Sequence, residues 1–417
     1  MKGSSGYVAR LVDPLIEELF AVLPALMLVG PRASGKTTTA LQHGHGSSVM
    51  RLDRREVAEA VRVDPDVGLL AYDEPLVIDE WQMVPDVLGA VKRSVDMRPT
   101  PRRFLLTGST SADLTTAGWP ATGRVVRIPM WGLTERELVG DISRRPFLSR
   151  LLDSGLDELE MPVEVPDVRG YIGRALRGAF PEVARQESAR ARSAWLRGYI
   201  DQLVTREVRA AGIVRDPVRL RRYLQAVAAN TSGVVLHKTL FDAAGVTRTT
   251  GVAYDDLLEA LFVTEHVPAW RSSALGQLIG LPKRYLTDTA LLGPLAGLDD
   301  RAVLRSADLM GRVIDGYVAQ QLRGELAVCD EAPRMFHLRD THGRREIDLM
   351  VETANGDIAA FEIKAAAAPP KDAARHLVWL RDALGDRFRI GAVLHTGPLP
   401  YRLDDRIFAI PICMIWG

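Results

Sequence analysis

Cysteine is nearly missing: Cys329 and Cys413 are the only two in 417 residues. Neither sits in a CxxC or Cys/His spacing, so the chain has no disulfide framework or structural zinc site, and any metal must bind oxygen. Long apolar runs are missing too. The longest, such as 20–30 and 408–417, fall short of the roughly 20 residues that span a bilayer. The N-terminus lacks the charged, apolar and small-residue order of a signal peptide. These absences lead to the expectation of a cytoplasmic chain with no membrane partner. No charge of one sign prevails either, because 53 Lys and Arg balance 53 Asp and Glu. A bulk field toward nucleic acid or anionic lipid is therefore excluded, and such a contact needs a local patch. Lysine is scarce as well, at seven of the 53 basic residues (2, 36, 92, 238, 283, 364 and 371). A lysine at a motif position consequently carries weight.

What is present is ordinary globular composition, with 47% hydrophobic and 25% charged residues. The length allows several domains at roughly 100–200 residues each. Ala25 to Val29 is an apolar run of strand length, followed by Gly30-Pro31-Arg32-Ala33-Ser34-Gly35-Lys36-Thr37 and a helix-compatible stretch. This is GxxxxGKT in strand, loop, helix order. Glycines let the loop curl so that backbone N–H groups face phosphates, with Ser34, Gly35 and Thr38 in the same cradle. Lys36 reaches the β and γ phosphates, and the Thr37 hydroxyl ligates Mg²⁺.

Such a loop needs a second acid for the magnesium and a group to activate water. Leu76-Val77-Ile78-Asp79-Glu80 offers both at the end of an apolar strand. Asp79 is the candidate magnesium ligand, and Glu80 the candidate base that polarises water. A third apolar strand ends in Thr107-Gly108-Ser109, which puts the Thr107 hydroxyl where it can sense a γ-phosphate. Arg124, after Gly123, is a candidate arginine finger.

The words GPRASGKTT, LVIDEWQ, FLLTGS, TGR and GLTERE, then RGAFPEV, PKRYLTDTALL, REIDLMV and FEIKA, resemble the prokaryotic AAA-type ATP-binding proteins whose C-terminal half is domain of unknown function 4143. The resemblance runs over nearly the whole chain. It implies an ATPase fold first, a winged helix in the middle and a restriction-endonuclease-like fold at the end, with no settled biological role.

Between Arg185 and Arg222 ten arginines face Glu187, Asp201, Glu207 and Asp216. With Trp195, Leu196, Tyr199, Ile200 and Leu203 at helical spacing, this reads as a basic amphipathic segment able to meet phosphate backbone or to serve as a solvated face. Helices at 218 onward, 238–244 and 249–261, with a turn at Gly245 and a following strand, give the order of a winged helix. The last of these helices carries Asp255, Asp256 and Glu259 against Arg248, which favours a protein contact or scaffold over DNA reading.

Near the C-terminus Glu346 to Val351 and Ile358 to Lys364 alternate as two strands around Ala354-Asn355-Gly356. A two-residue loop would split Asp348 and Glu362 between faces. A three-residue loop with Gly356 in the left-handed position sets Asp348 opposite Glu362, Leu349 opposite Phe361 and Glu346 opposite Lys364. The second register separates an apolar from a charged face and is the one expected. Two carboxylates and a nearby lysine suit a divalent metal. The set resembles the PD-(D/E)xK nuclease core, with Asp348, Glu362 and Lys364 at its motif positions, and Asp315 on a preceding helix where Glu is usual.

The expected class is α/β. A P-loop NTPase (AAA-type) parallel sheet at 1–145 is followed by a helical connector at 146–215, a winged helix at 216–298 and an α/β nuclease-like domain at 299–417. The expected function is an ATP-binding and ATP-hydrolysing switch that uses Mg²⁺, with a second Mg²⁺ or Mn²⁺ at the C-terminal carboxylates. Its partner is DNA or, with an inactive nuclease fold, a protein in signalling or a toxin–antitoxin pair. Self-association into a homo-oligomer fits a finger acting across subunits.

Overall fold

A computed structural model describes residues 6–44, 46, 48–109, 123–207, 216–271, 280–340 and 344–417. Strands covered on both faces are apolar at successive positions rather than alternate ones. β1 (Ala25–Val29) and β4 (Phe104–Gly108) are buried throughout, as is β3 (Leu76–Asp79). With β2 (Ser48–Arg51) and β5 (Val126–Pro129) they form a parallel sheet in the order β2-β3-β4-β1-β5. Met27, Ile78 and Leu106 of the sheet join Val87, Leu88 and Val91 of the Val87–Met97 helix in one core. The order places β4 between β1 and β3, so the segments leaving these three strands emerge side by side at one sheet edge. Chain compactness divides the protein into two units, the first of which comprises 1–133, 137–142 and 260–263.

The second unit comprises 134–136, 143–259 and 264–417. Its helix Ala189–Gln202 buries Leu196 and Ile200 and stacks Trp195 on Tyr199, with ring centroids 5.5 Å apart. Part of the expected basic stretch, 208–215, lies outside the described residues. The helix Pro217–Ala229 starts at Asp216, whose carboxylate accepts from the Val218 and Arg219 amides, with proline in the first turn where no amide is needed. β6 (Gly233–Val234), the helices His237–Ala244 and Arg248–Ala260, β7 (Thr264–Val267) and β8 (Lys283–Leu286) follow. These strands make an antiparallel sheet ordered β6-β8-β7.

The helix Ala307–Leu326 leads into β9 (Arg334–Arg339), β10 (Glu346–Glu352) and β11 (Ile358–Lys364). After the helix Arg375–Leu384 come β12 (Phe388–His395), β13 (Tyr401–Asp404) and β14 (Ile407–Pro411). The sheet order is β13-β14-β12-β11-β10-β9. Leu349 pairs with Phe361 and Glu352 with Ile358, so three residues separate the Thr353 amide and the Asp357 carbonyl it bonds at 3.0 Å. Gly356 takes φ +83°, as the three-residue loop requires. Tyr171, Tyr317 and Trp416 meet edge to face with centroids 6.2–6.5 Å apart, closing the core under the C-terminal segment. Among the described residues no helix is long and apolar enough to cross a membrane.

Candidate functional site

The loop after β1 is shaped by what a side chain would strike. A Cβ on Gly30 would lie 2.0 Å from the Met130 carbonyl oxygen, so β5's continuation passes too close for any other residue. Gly35 has φ +94° and Ala33 φ +61°, which turn the chain into the helix Lys36–His43. Lys36 is buried, and its ammonium donates to the carbonyls of Gly30 (3.0 Å) and Pro31 (2.6 Å) and lies 3.5 Å from the Ser34 hydroxyl. Burial pulls its pKa down to about 8, against the raising charges of Glu80 and Asp79. Thr38 follows on the helix and is exposed.

Asp79 ends β3, and two hydroxyls converge on its Oδ1: Thr37 Oγ1 at 2.6 Å and Thr107 Oγ1 at 2.6 Å. One hydroxyl comes from the first turn of the Lys36–His43 helix and the other from β4, so the carboxylate ties three segments together. Glu80 has φ +58° and ψ +48°, a left-handed conformation costly for a residue with a Cβ. Its amide donates to Thr107 Oγ1 at 3.3 Å, and its carboxylate accepts from the Gln82 amide and faces Arg32 at 4.0 Å. Gln82 also reaches the Ser109 hydroxyl at 3.2 Å. Gly108 is obligatory, because a Cβ there would lie 2.2 Å from Trp81 Nε1.

Arg124 is not brought to this site within the chain. Its guanidinium donates to Asp96 at 2.6 Å on a largely exposed surface. Leu26 is level with Val126 in the parallel pair, so Arg124 lies beside the start of β1. The phosphate loop leaves the other end, about 15 Å away at roughly 3.3 Å per residue. Two residues that sequence reasoning missed complete the site. Arg10, buried, donates to the Ser34 carbonyl (2.8 Å), the Trp131 carbonyl (2.7 Å) and Glu137 (3.0 Å), and so braces the loop backbone from outside. Gln82 orients Glu80. Glu137 and Gln82 stood inside the words GLTERE and LVIDEWQ, whereas nothing near Arg10 marked it.

Three of the four expected C-terminal residues are gathered in one place. Asp348, Glu362 and Lys364 line a cavity of about 400 Å³ with Glu346, Arg375 and His376. Lys364 Nζ is 3.0 Å from Glu362 Oε2, and His376 Nδ1 is 3.6 Å from Glu362 Oε1. Asp315 is elsewhere engaged: Lys283 Nζ lies 2.6 Å from its Oδ2, and Tyr285 donates to its Oδ1 at 2.8 Å. Burial pushes the Asp315 pKa up to about 7, with Lys283 opposing. Burial likewise raises Glu362, and the nearby Asp348 charge adds to it. Among the described residues no group of three or more His, Cys, Asp or Glu is placed to hold a metal ion. The expected second Mg²⁺ or Mn²⁺ at Asp315, Asp348, Glu362 and Lys364 gains no support: the Lys283 ammonium lies 2.6 Å from Asp315 Oδ2 and 3.4 Å from Asp348 Oδ1.

Sequence comparison covers the stretch that holds the first of these sites. Residues 23–139 match the family profile of an AAA domain. The N-terminal part of the chain is a P-loop domain of the AAA type. Beyond the AAA domain, residues 168–302 match a domain of unknown function (8612) and residues 310–415 a domain of unknown function (4143). Uncharacterized proteins of Mycobacterium tuberculosis and Mycobacterium bovis are each 28% identical over 391 residues, 93% of this chain and 80% of theirs. Among solved structures, a Walker-type ATPase of Pyrococcus abyssi aligns at 13% identity over 68% of this chain and 94% of that one, with a TM-score of 0.44. The RuvB Holliday junction branch migration motor of Thermotoga maritima aligns at 19% identity over 62% and 87%, with a TM-score of 0.29.

Proposed function

We propose that this chain binds and hydrolyses Mg-ATP at the AAA domain and works as a nucleotide-driven switch. The observation that carries the reading is the convergence of the Thr37 and Thr107 hydroxyls on Asp79 beside the phosphate loop. These are hard oxygen donors that suit magnesium, beside a buried ammonium and a helix N-terminus that suit phosphate. Bound magnesium would neutralise phosphate charge. Gly30, Ser34, Gly35, Lys36 and Thr38 cradle the phosphates, Thr37 and Asp79 hold the metal, Glu80 orients water, and Thr107 reports phosphate occupancy to Asp79 and to the Glu80 backbone. Arg124, remote within its own chain, acts only on a neighbouring copy if it acts as a finger.

Under this reading the second unit is the output. Its subdivision follows the sequence boundaries: a connector to 215, a winged helix at 216–298 and a nuclease-like domain from 299. The β6-β8-β7 sheet with its three helices supports the winged helix, and the helix, three strands, helix, strand order from Ala307 to His395 supports the nuclease-like fold. Nucleic acid is the first partner proposed. The second reading, a protein partner met by an inactive nuclease fold, is favoured by the engagement of Asp315 and Asp348 with Lys283.

The deciding assay compares ATP hydrolysis by wild type and Lys36→Ala, with and without DNA. Hydrolysis reduced on the order of 100-fold or more in the variant is expected, and DNA stimulation of the wild type selects nucleic acid. Equal turnover by the two proteins would refute the assignment.

A further inference from the structure

The C-terminal acids already have a cation. Lys283, 3% exposed, extends from β8 so that its ammonium is 2.6 Å from Asp315 Oδ2, 3.4 Å from Asp348 Oδ1 and 3.2 Å from the Asp348 carbonyl. The remaining oxygens of these two acids are taken too: Asp315 Oδ1 accepts from Tyr285 at 2.8 Å, and Asp348 Oδ2 from the Ile363 amide at 2.9 Å. Every carboxylate oxygen of the pair thus has a protein donor. A divalent ion entering between them would have to expel a buried ammonium from its counter-charges. Such a charge left unpaired in the interior is strongly unfavourable. The third acid, Glu362, is tied to Lys364 at 3.0 Å, and its Oε1 is buried with no hydrogen-bond partner. Lys283 and Lys364 thus offset two of the three carboxylates, with His376 beside the third.

The residue type is notable, because Lys is only seven of the 53 basic residues, and its ammonium is a compact point charge that donates to more than one acceptor at once.

We propose that Lys283 is the resident cation of the C-terminal carboxylate cluster, so that the nuclease-like domain takes no divalent metal there and does not cleave phosphodiesters. This rests on reading Asp315, Asp348 and Glu362 as the positions of a nuclease-like carboxylate set. A domain of this kind binds its partner without cutting it.

The test uses the full chain carrying Asp79→Asn, which silences the AAA site as a metal ligand. Mn²⁺ is titrated by calorimetry and by electron paramagnetic resonance of the free ion, with and without Lys283→Met. The expected result is no Mn²⁺ bound by the parent and no cleavage of DNA in Mn²⁺. The Lys283→Met variant is expected to bind one Mn²⁺ where the parent binds none, to gain thermal stability from it, and to lose both on adding Asp348→Asn. If Lys283→Met does not fold, Lys283→Met/Asp315→Asn removes both charges of the pair and leaves Asp348 and Glu362 to take the ion. Mn²⁺ binding or DNA cleavage by the parent, abolished by Asp348→Asn, would overturn the inference while upholding the carboxylate set. No binding by the parent or by either lysine variant would overturn the carboxylate reading itself, and the inference with it.

Discussion

Lys36 donates to the carbonyls of its own loop, so phosphate binding must exchange those acceptors for phosphate oxygens. Because burial lowers its pKa to about 8, the ammonium is lost as pH rises through that value, and with it the charge that meets phosphate. Nucleotide affinity measured by fluorescence titration should therefore fall about tenfold between pH 7 and 9, and Lys36→Arg, which stays charged, should flatten the profile. Thr107 allows a separate test. Its hydroxyl donates to Asp79 and accepts from the Glu80 amide, so it links the proposed metal ligand to the strained residue proposed to orient water. Thr107→Val keeps the shape of the side chain and removes both bonds. The expected result is a kcat lower by roughly 10- to 100-fold with ATP affinity changed by less than about threefold. A KM effect with kcat intact would show the hydroxyl serving binding instead.

At the scale of elements, legibility followed sequence distance. The phosphate loop, with Lys36 and Thr37, is one continuous word. The β10–β11 register followed from alternation and a single left-handed glycine, and Leu349 faces Phe361 as expected. Lys283 stood inside the word PKRYLTDTALL, but its meeting with Asp348 went unread because the two lie 65 residues apart and in different sheets; no periodicity reports such a meeting. Arg10 escaped for the same reason, being 127 residues from Glu137. Asp255 counted among the acids that weigh against DNA reading by its helix and in favour of a scaffold or protein contact. It is buried, bonded to Arg284 at 2.9 Å and to His266 at 3.3 Å, and pins the Arg248–Ala260 helix to β7 and β8. His266 also faces Glu259 at 2.9 Å. Burial opposes its charge, yet the bonds to Asp255 and Glu259 raise its pKa to about 9 from 6.5. A raised folded pKa means that the stabilisation is full below about 6.5 and lost as pH climbs through about 9. His266→Asn should therefore cost on the order of 1–3 kcal/mol in urea unfolding at pH 6, with the gap to wild type narrowing by pH 9.5. A pH-independent gap would mean that the imidazole acts by packing alone.

For the whole molecule, the question is whether the occupied AAA domain alters residues outside its own unit. Ligand that binds only the folded state stabilises by mass action, about 2.7 kcal/mol at one hundred times Kd. That effect alone need reach no further than the residues around Lys36, Asp79 and Thr107. A switch demands more, since a nucleotide shifts an equilibrium only through different affinities for two states. Hydrogen exchange read by mass spectrometry, with and without Mg-ATP, separates the cases. Protection at 25–44 and 76–109 is expected from binding. Changed exchange within 134–136, 217–260 or 307–326 is the expected mark of a switch, and Lys36→Ala should erase it. Protection confined to 1–133 in the wild type would leave an ATP-binding domain with no output in this chain, and the partner would then have to be present for any coupling to exist.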